Sequence, residues 1–155
     1  MKSTFSNIVK DIKDGKIAKI AVLCGAGIST PSGIPDFRSP GGMYDTLRPE
    51  LITATNSERI LLAADPTMVV DIQMFKKNQF PYLEVRRPFI LGTYENQWKP
   101  SLAHFFVKVL EDKGLLTRFY TQNIDGLHYH TGISHSKIVP VHGSIAKSSC
   151  EFCKV

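Results

Sequence analysis

The residues best suited to chemistry lie in three short segments, each of which follows an apolar run of the chain. The first begins with Gly25 and Gly27, glycines that let the backbone turn tightly and approach a ligand. The second includes Asn123, and the third is His142 followed by a glycine. Since a neutral imidazole can accept a proton near neutral pH, His142 is the best candidate for a general base. A structural histidine at a strand end remains the alternative.

The glycines of the first segment indicate a phosphate-binding turn. If a helix opens after them, its unpaired N–H groups and dipole favour an anion. The spacing departs from the dinucleotide fingerprint G-x-G-x-x-G, because Thr30 stands at the third glycine position and the next glycine is Gly33. Taken alone, these glycines are explained equally well by a tight turn without a ligand.

The elements that must position these segments are read from hydrophobic periodicity. Apolar runs predict strands over residues 17–24, 115–120 and 137–141, the first being buried on both faces of a parallel sheet. A helix with a regular apolar stripe begins at Pro100-Ser101 and ends at Gly114. This alternation predicts an open α/β sheet with all three segments past the carboxyl ends of its strands, where ligands bind.

Further helices are expected outside this sheet. Phe5 to Ile12 forms an amphipathic surface helix that packs on the sheet, and residues 57–64 form a short helix. Asp65-Pro66 begins a helix that reaches about Lys77. Residues 30–42 are rich in proline and glycine and form a long loop, which is usually functional in a compact domain.

Composition narrows the class of protein. The 155 residues carry a net charge of +5, with 43% apolar and 21% charged residues, as in a soluble globular domain. No apolar run is long enough to span a membrane, and scattered lysines make nucleic-acid binding unlikely. We find neither a signal peptide nor a clear transit peptide, so a cytoplasmic or nuclear location is expected.

Three ordered motifs resemble the sirtuin family. The segment from Gly25 to Arg38 matches G-A-G-x-S-x-x-x-G-I-P-D-F-R at every fixed position, and T-Q-N-I-D at 121–125 and H-G at 142–143 follow. The likeness covers the N-terminal half of the sirtuin catalytic core, closest to the eukaryotic class I type. It implies a Rossmann-like open parallel sheet with helices on both faces, plus part of a small helical and zinc-ribbon module, as a truncated domain.

The resemblance also implies an organisation of the chain. Residues 17–47 would form the NAD-binding strand and cofactor loop, and residues 48–91 a helical segment of the small module. Residues 100–143 would form the helix–strand units that carry the T-Q-N-I-D and H-G motifs. Residues 147–155 would form the first half of a zinc knuckle.

The activity that the resemblance implies is NAD-dependent deacetylation of acetyl-lysine in a protein substrate. Its products are lysine, nicotinamide and 2′-O-acetyl-ADP-ribose. His142 would activate a ribose hydroxyl, and Asn123 would orient the ribose and a water. The remaining residues that would contact NAD are Gly25, Ala26, Gly27, Ser29, Ile34, Asp36, Phe37, Arg38, Tyr44, Gln122, Ile124 and Asp125.

Cys150 and Cys153 have the spacing of one half of a zinc knuckle, whereas a structural zinc site needs four ligands. In sirtuins a second cysteine pair completes this non-catalytic site, which is incomplete in the present chain. Pro140-Val141 also departs from the acidic-then-small pair that usually precedes the histidine in eukaryotic members.

Two alternatives to a deacetylase remain. One is a catalytically impaired fragment that binds NAD or a partner chain. The other is an NAD-dependent mono-ADP-ribosyltransferase. Acyl-chain preference, the substrate protein and the oligomeric state are not predicted by these residues.

Overall fold

The computed structural model describes residues 4–145, 150, 152 and 153. The chain divides into two compact units: a central unit of residues 30–98, and a sheet unit made of the segments before and after it. Among the described residues, no helix has the length and apolar character needed to cross a membrane.

The sheet unit contains three parallel strands in the order β1-β2-β3. They are β1 (Ile20–Cys24), β2 (Leu116–Thr121) and β3 (Ile138–Pro140). The register places Cys24, Thr121 and Pro140 side by side at the carboxyl ends. The prediction of an α/β fold with a parallel sheet is therefore confirmed, with each strand slightly shorter or shifted by one residue.

Helix α5 (Leu102–Asp112) precedes β2 and packs Val107 and Leu110 on the sheet. The predicted apolar stripe is right only in part, because Leu102, Phe105, Phe106 and Val109 are 44–86% exposed and His104 is buried instead. Ser101 and His104 form a capping box in which each side chain pairs with the backbone N–H of the other residue. The buried core of this unit consists of Val107, Leu110, Leu116, Phe119, Ile133 and Ile138.

The first strand is less buried than its apolar sequence predicts. Burial alternates along β1, and the Leu23 side chain is 68% exposed, so the prediction of burial on both faces is wrong. Helix α1 (Phe5–Lys13) forms where expected but buries none of its residues, and Phe5 is 80% exposed. An apolar run shows that a strand could be buried on both faces. Whether it is buried depends on the elements that cover each face.

The central unit contains three helices, α2 (Asn56–Ala64), α3 (Ile72–Lys77) and α4 (Phe80–Tyr94). The single helix predicted from Asp65 to Lys77 is divided, because residues 66–70 form a 3-10 helix and Asp71 begins a new helix. The Asp71 carboxylate accepts hydrogen bonds from the backbone N–H groups of Gln73 and Met74, which caps α3. The core of this unit consists of Leu47, Ile52, Leu62, Val69 and Met74.

Helix α4 occupies residues 80–94, a segment in which hydrophobic periodicity does not indicate a helix or a strand. Pro81 lies in its first turn, where the missing N–H costs nothing, but Pro88 lies inside the helix. Gly92 is packed against Trp98 so closely that a Cβ there would lie 2.5 Å from the indole ring. Tertiary packing therefore stabilises a helix that local sequence patterns do not indicate.

Candidate functional site

The three strands of the sheet unit deliver their following loops to one edge of the sheet. The ladder continues one residue beyond the strands, because the Gln122 N–H donates to the Cys24 carbonyl at 3.0 Å and the Val141 N–H to the Thr121 carbonyl at 2.9 Å. The segments that begin at Gly25, Gln122 and Val141 consequently lie beside one another, as the parallel arrangement predicts.

A hydrogen-bonded cluster, which we call the Ser29 cluster, joins the loops after β1 and β2. It comprises Gly25, Ser29, Asn123 and Asp125. The Ser29 hydroxyl donates to Asp125 Oδ2 at 2.6 Å, and the Asn123 amide donates to Ser29 Oγ and to the Gly25 carbonyl, each at 3.0 Å. In each of these three bonds the two partners are 94 to 98 positions apart in the sequence, so only the fold brings them together.

The Ser29 cluster is largely removed from solvent. Ser29 is 2% exposed and Asp125 5% exposed. Asp125 also accepts a hydrogen bond from the backbone N–H of Leu127 at 3.0 Å. A buried carboxylate is tolerated when donors satisfy it, and these bonds fix the first loop against the second.

Ser101 and His104, at the start of α5, stabilise the loop that follows β1. The Ser101 hydroxyl donates to the Ile28 carbonyl at 2.7 Å, and it lies 2.9 Å from Nδ1 of His104, which is almost fully buried. Burial lowers the pKa of His104, which favours the neutral ring that this capping contact uses. This support could not be predicted from the sequence, because residues at a helix start do not indicate a contact with a loop 73 residues away.

The glycine turn after β1 differs from the predicted helix opening. Residues 26–28 form one turn of 3-10 helix, which is too short to supply the aligned dipole of an α-helix. A Cβ at Gly25 would lie 3.3 Å from Oε1 of Gln122, whereas a Cβ at Gly27 would meet no atom within 4 Å. Close packing therefore favours glycine at Gly25, while open space adjoins Gly27.

His142 lies in an exposed turn directly after β3. The Gly143 N–H donates to the Pro140 carbonyl at 3.1 Å, and Gly143 has a φ of +76°, a conformation that glycine adopts readily. Ile124, in the neighbouring loop, accepts a hydrogen bond from the Ile145 N–H at 3.1 Å. These contacts place the candidate base on the same edge of the sheet as the Ser29 cluster, with its imidazole open to solvent.

In the central unit, Asp36 organises the predicted cofactor loop. Its carboxylate accepts hydrogen bonds from the Arg38 and Ser39 N–H groups at 2.9 and 2.7 Å, and from the Ser39 hydroxyl. These bonds, led by that from Ser39, lower the pKa of Asp36. Gly42 completes the loop, since a Cβ there would lie 2.7 Å from the Asp36 carbonyl. This constraint on Gly42 could not be predicted from the sequence.

The other candidate residues of this loop differ in exposure. Ile34 is buried, whereas Arg38 is exposed and Phe37 is 39% exposed. The rings of Phe37 and Tyr44 lie 5.9 Å apart, and the Tyr44 N–H donates to the Phe37 carbonyl at 3.1 Å. An exposed cation beside partly exposed aromatic rings is suited to contact a charged ligand with planar groups.

The two candidate zinc ligands, Cys150 and Cys153, are exposed free thiols. Hydrogen bonds from the backbone of Cys153 and Phe152 lower the pKa of the Cys150 thiol, which favours the metal-binding thiolate. The described residues contain no group of three or more side chains able to hold a metal ion. The predicted knuckle segment, residues 147–155, falls mainly on residues 147–149, 151, 154 and 155, which lie outside the described residues.

Comparison with known proteins identifies one family. The family model described as the Sir2 family matches residues 25–155. The chain is 40% identical over 154 residues to NAD-dependent deacetylase sir2A of Dictyostelium discoideum, with 99% of this chain and 27% of that protein covered. It is 36% identical over 154 residues to NAD-dependent protein deacetylase sirtuin-3 of Mus musculus, with 99% and 42% covered.

Solved structures give the same result at the level of the fold. A sirtuin solved to study substrate affinity matches with a TM-score of 0.71 and 31% identity, covering 99% of this chain and 53% of that one. A Sir2 protein solved with a deacetylated p53 peptide and 3′-O-acetyl ADP-ribose matches with a TM-score of 0.69 and 32% identity, covering 94% and 51%. The chain thus spans about half of these structures, and 27% and 42% of the two curated relatives.

Proposed function

This chain belongs to the Sir2 family, and from that membership we propose that it carries the catalytic residues of an NAD-dependent protein-lysine deacetylase. The substrate would be an acetylated lysine of a protein, and the products would be lysine, nicotinamide and 2′-O-acetyl-ADP-ribose. The relatives that support this proposal are named as NAD-dependent deacetylases.

The observation that carries the proposal is the Ser29 cluster. It unites two of the three motifs at the carboxyl edge of the sheet through the 2.6 Å bond between Ser29 and Asp125 and the two bonds of Asn123. Ligands of open α/β sheets bind at this edge. A cluster whose donors and acceptors are already paired can hold a loop in one conformation before a ligand arrives, which reduces the entropy lost on binding.

His142 would act as the general base. When bound, NAD would supply the ADP-ribosyl group that accepts the acetyl group as nicotinamide leaves. The exposed imidazole of His142 would remove the proton from a ribose hydroxyl, so that its oxygen can attack the acyl carbon. Asn123 would orient the ribose through its Oδ1, since the two hydrogens of Nδ2 are donated to Gly25 and Ser29 and hold the side chain in place.

The other predicted NAD contacts fall into two groups that we propose together. In the sheet unit, Ala26, Gly27 and Ser29 would bind phosphates beside Gly25, Gln122 would meet the ribose, and Ile124 and Asp125 would line the nicotinamide pocket. In the central unit, Ile34 and Asp36 would contact nicotinamide, Phe37 would shield the reactive ribose face, and Arg38 and Tyr44 would contact the cofactor.

For the domain organisation and zinc, the proposal follows the family pattern. Residues 17–47 would bind NAD, residues 48–91 would form part of the small helical module, and residues 100–143 would carry the second and third motifs. Cys150 and Cys153, within residues 147–155, would supply two thiolates to a structural zinc ion that takes no part in the chemistry.

Product identification tests this proposal. The chain is incubated with NAD and an acetyl-lysine peptide, and the products are resolved by mass spectrometry. Deacetylated peptide together with O-acetyl-ADP-ribose supports a deacetylase. ADP-ribose attached to protein would favour the mono-ADP-ribosyltransferase, and no turnover by folded chain would favour a fragment that only binds NAD or a partner.

A further inference from the structure

Arg86 is a buried cation without an anionic partner among the described residues. It lies on α4 and is 6% exposed, and none of the ion pairs in the described part of the chain includes it. Its Nη1 lies 3.5 Å from the Met43 sulfur, a weak acceptor. A guanidinium has five N–H donors, so this contact leaves most of its hydrogen-bonding capacity unused.

Two aromatic rings hold the guanidinium in place. Its Cζ lies 4.4 Å from the centroid of the Phe89 ring and 5.6 Å from that of Phe37. Cation–π contacts of this kind offset part of the cost of burying the charge, but they pair none of its N–H groups with an acceptor. The donors of Arg86 are therefore positioned for an acceptor that the chain itself does not supply among its described residues.

Arg86 lines a cavity of about 460 Å³ that is formed entirely by residues of the central unit. This volume is in the range of small-molecule binding sites. The rest of the lining is mainly apolar and includes Leu47, Ile52, Val85, Phe89 and Trp98. A mainly apolar cavity with one unpaired cation is suited to a molecule with an apolar body and a single negative charge.

The other two charged residues of the cavity, Arg48 and Glu84, are exposed and are bonded to the backbone. The Glu84 carboxylate accepts a hydrogen bond from the Thr53 N–H at 2.9 Å, and bonding to Thr53 lowers the pKa of Glu84. Nη1 of Arg48 donates to the carbonyl groups of Asp45 and Leu47 at 3.0 and 2.9 Å. Arg86 is therefore the buried charge of this lining, and no oxygen acceptor among the described residues bonds its N–H groups.

We propose that this cavity is a binding site for a small monocarboxylate with an aliphatic or aromatic body, whose carboxylate is held by Arg86. The planar guanidinium matches a carboxylate through two parallel hydrogen bonds. A phosphate would bring a second charge and a larger hydration shell into a mainly apolar space, which makes it the poorer fit. The lining of the cavity contains none of the proposed NAD contacts, although Arg86 lies over Phe37, which is one of them. The binding test below uses no NAD, so its outcome does not depend on the deacetylase proposal.

Intrinsic fluorescence provides a direct test, because Trp98 is the single tryptophan of the chain. It lines the cavity and stacks on Phe89 with a centroid distance of 5.6 Å. Octanoate is titrated into the full chain beside two probes of equal length, octanamide and octylamine. We expect octanoate to cause a saturable change in Trp98 emission. Octanamide should bind at least about tenfold more weakly, and octylamine should not bind.

Two variants assign the effect to one guanidinium. Arg86→Gln should weaken octanoate binding at least about tenfold and leave octanamide binding nearly unchanged. Arg87→Gln removes the same charge from the next, exposed position and should bind octanoate as the original chain does. Circular dichroism checks that both variants are folded.

The proposal is overturned if octanoate and octanamide bind alike, because the carboxylate then contributes nothing. It is overturned equally if the two variants lose octanoate binding to the same extent, or if none of the probes changes the emission or releases heat in calorimetry. Should Arg86→Gln fail to fold, the comparison of octanoate with octanamide on the original chain still decides the question.

Discussion

At the scale of single residues, the candidate site depends on side chains that hold one another in place. Ser29 donates to Asp125 and accepts from Asn123, and Asn123 in turn holds the Gly25 carbonyl. Ser29 is thus the residue through which the buried carboxylate and the amide are connected. Its hydroxyl donates to Asp125 and its backbone N–H to the Ala26 carbonyl, so its contribution to phosphate binding would come through the position of the loop.

Replacing Ser29 tests this connection. Ser29→Ala removes the donor to Asp125 and leaves a buried carboxylate with one fewer partner, so we expect the free energy of unfolding to fall by about 1–3 kcal/mol. Urea denaturation followed by circular dichroism measures the change. Ser136→Ala, at an exposed serine, is the matched control and should stay within about 0.5 kcal/mol. Equal stability of both variants would show that the Ser29 cluster is not a structural support.

At the scale of elements, sequence patterns predicted the helices and strands whose signals come from residues close together in the chain. The start and end of α5 and the three strands were predicted because their signals are local. The buried face of α5 was predicted only in part, since Phe105, Phe106 and Val109 are exposed and His104 is buried. The break at Asp71 was missed because the apolar stripe continues through it, although its carboxylate caps α3. The exposure of Leu23 and the position of Arg86 in a cavity depend on distant residues, which periodicity does not encode.

The loop that carries Asp36 allows a prediction at this scale. In Gly42→Ala the new methyl group would lie 2.7 and 2.8 Å from the carbonyl oxygens of Asp36 and Ser39, so the loop must shift. We expect a loss of about 1–3 kcal/mol in the free energy of unfolding, as for other overpacked sites. Thermal or urea denaturation measures it.

Gly27→Ala is the comparison for that experiment, since its methyl group would meet no atom within 4 Å. It should change the free energy of unfolding by less than about 1 kcal/mol. If Gly42→Ala were as stable as Gly27→Ala, the close approach at Gly42 would not constrain this loop.

At the scale of the whole molecule, stability should depend on pH through a buried histidine. His128 is 1% exposed, and neither of its ring nitrogens has a hydrogen-bond partner among the described residues. Burial lowers the pKa of His128 from 6.5 to about 4. The unfolded chain therefore binds more protons than the folded chain between these values, and protonation favours unfolding.

We expect the free energy of unfolding to decrease as the pH falls from about 6.5 towards 4, by at most about 3 kcal/mol from this residue. Urea denaturation at a series of pH values measures the slope. His128→Leu should flatten it, with a residual slope from His104, whose pKa burial also lowers. His130→Ala, at an exposed position, should reduce the slope only slightly, because the charge of His130 is one of the lesser causes of the lowered pKa of His128. An identical slope in His128→Leu and the original chain would assign the acid sensitivity to other groups.

The central claim is that the residues of this chain form the catalytic site of a deacetylase, and it is tested most directly by release of nicotinamide from NAD. The assay compares the original chain, His142→Ala and His130→Ala, with and without an acetyl-lysine peptide. Because His142 acts after nicotinamide has left, the steady-state rate over many turnovers is measured. We predict a rate that depends on the peptide, falls about 10²- to 10⁴-fold in His142→Ala and persists in His130→Ala. Equal release by His142→Ala and the original chain, or release that does not need the peptide, would contradict the account.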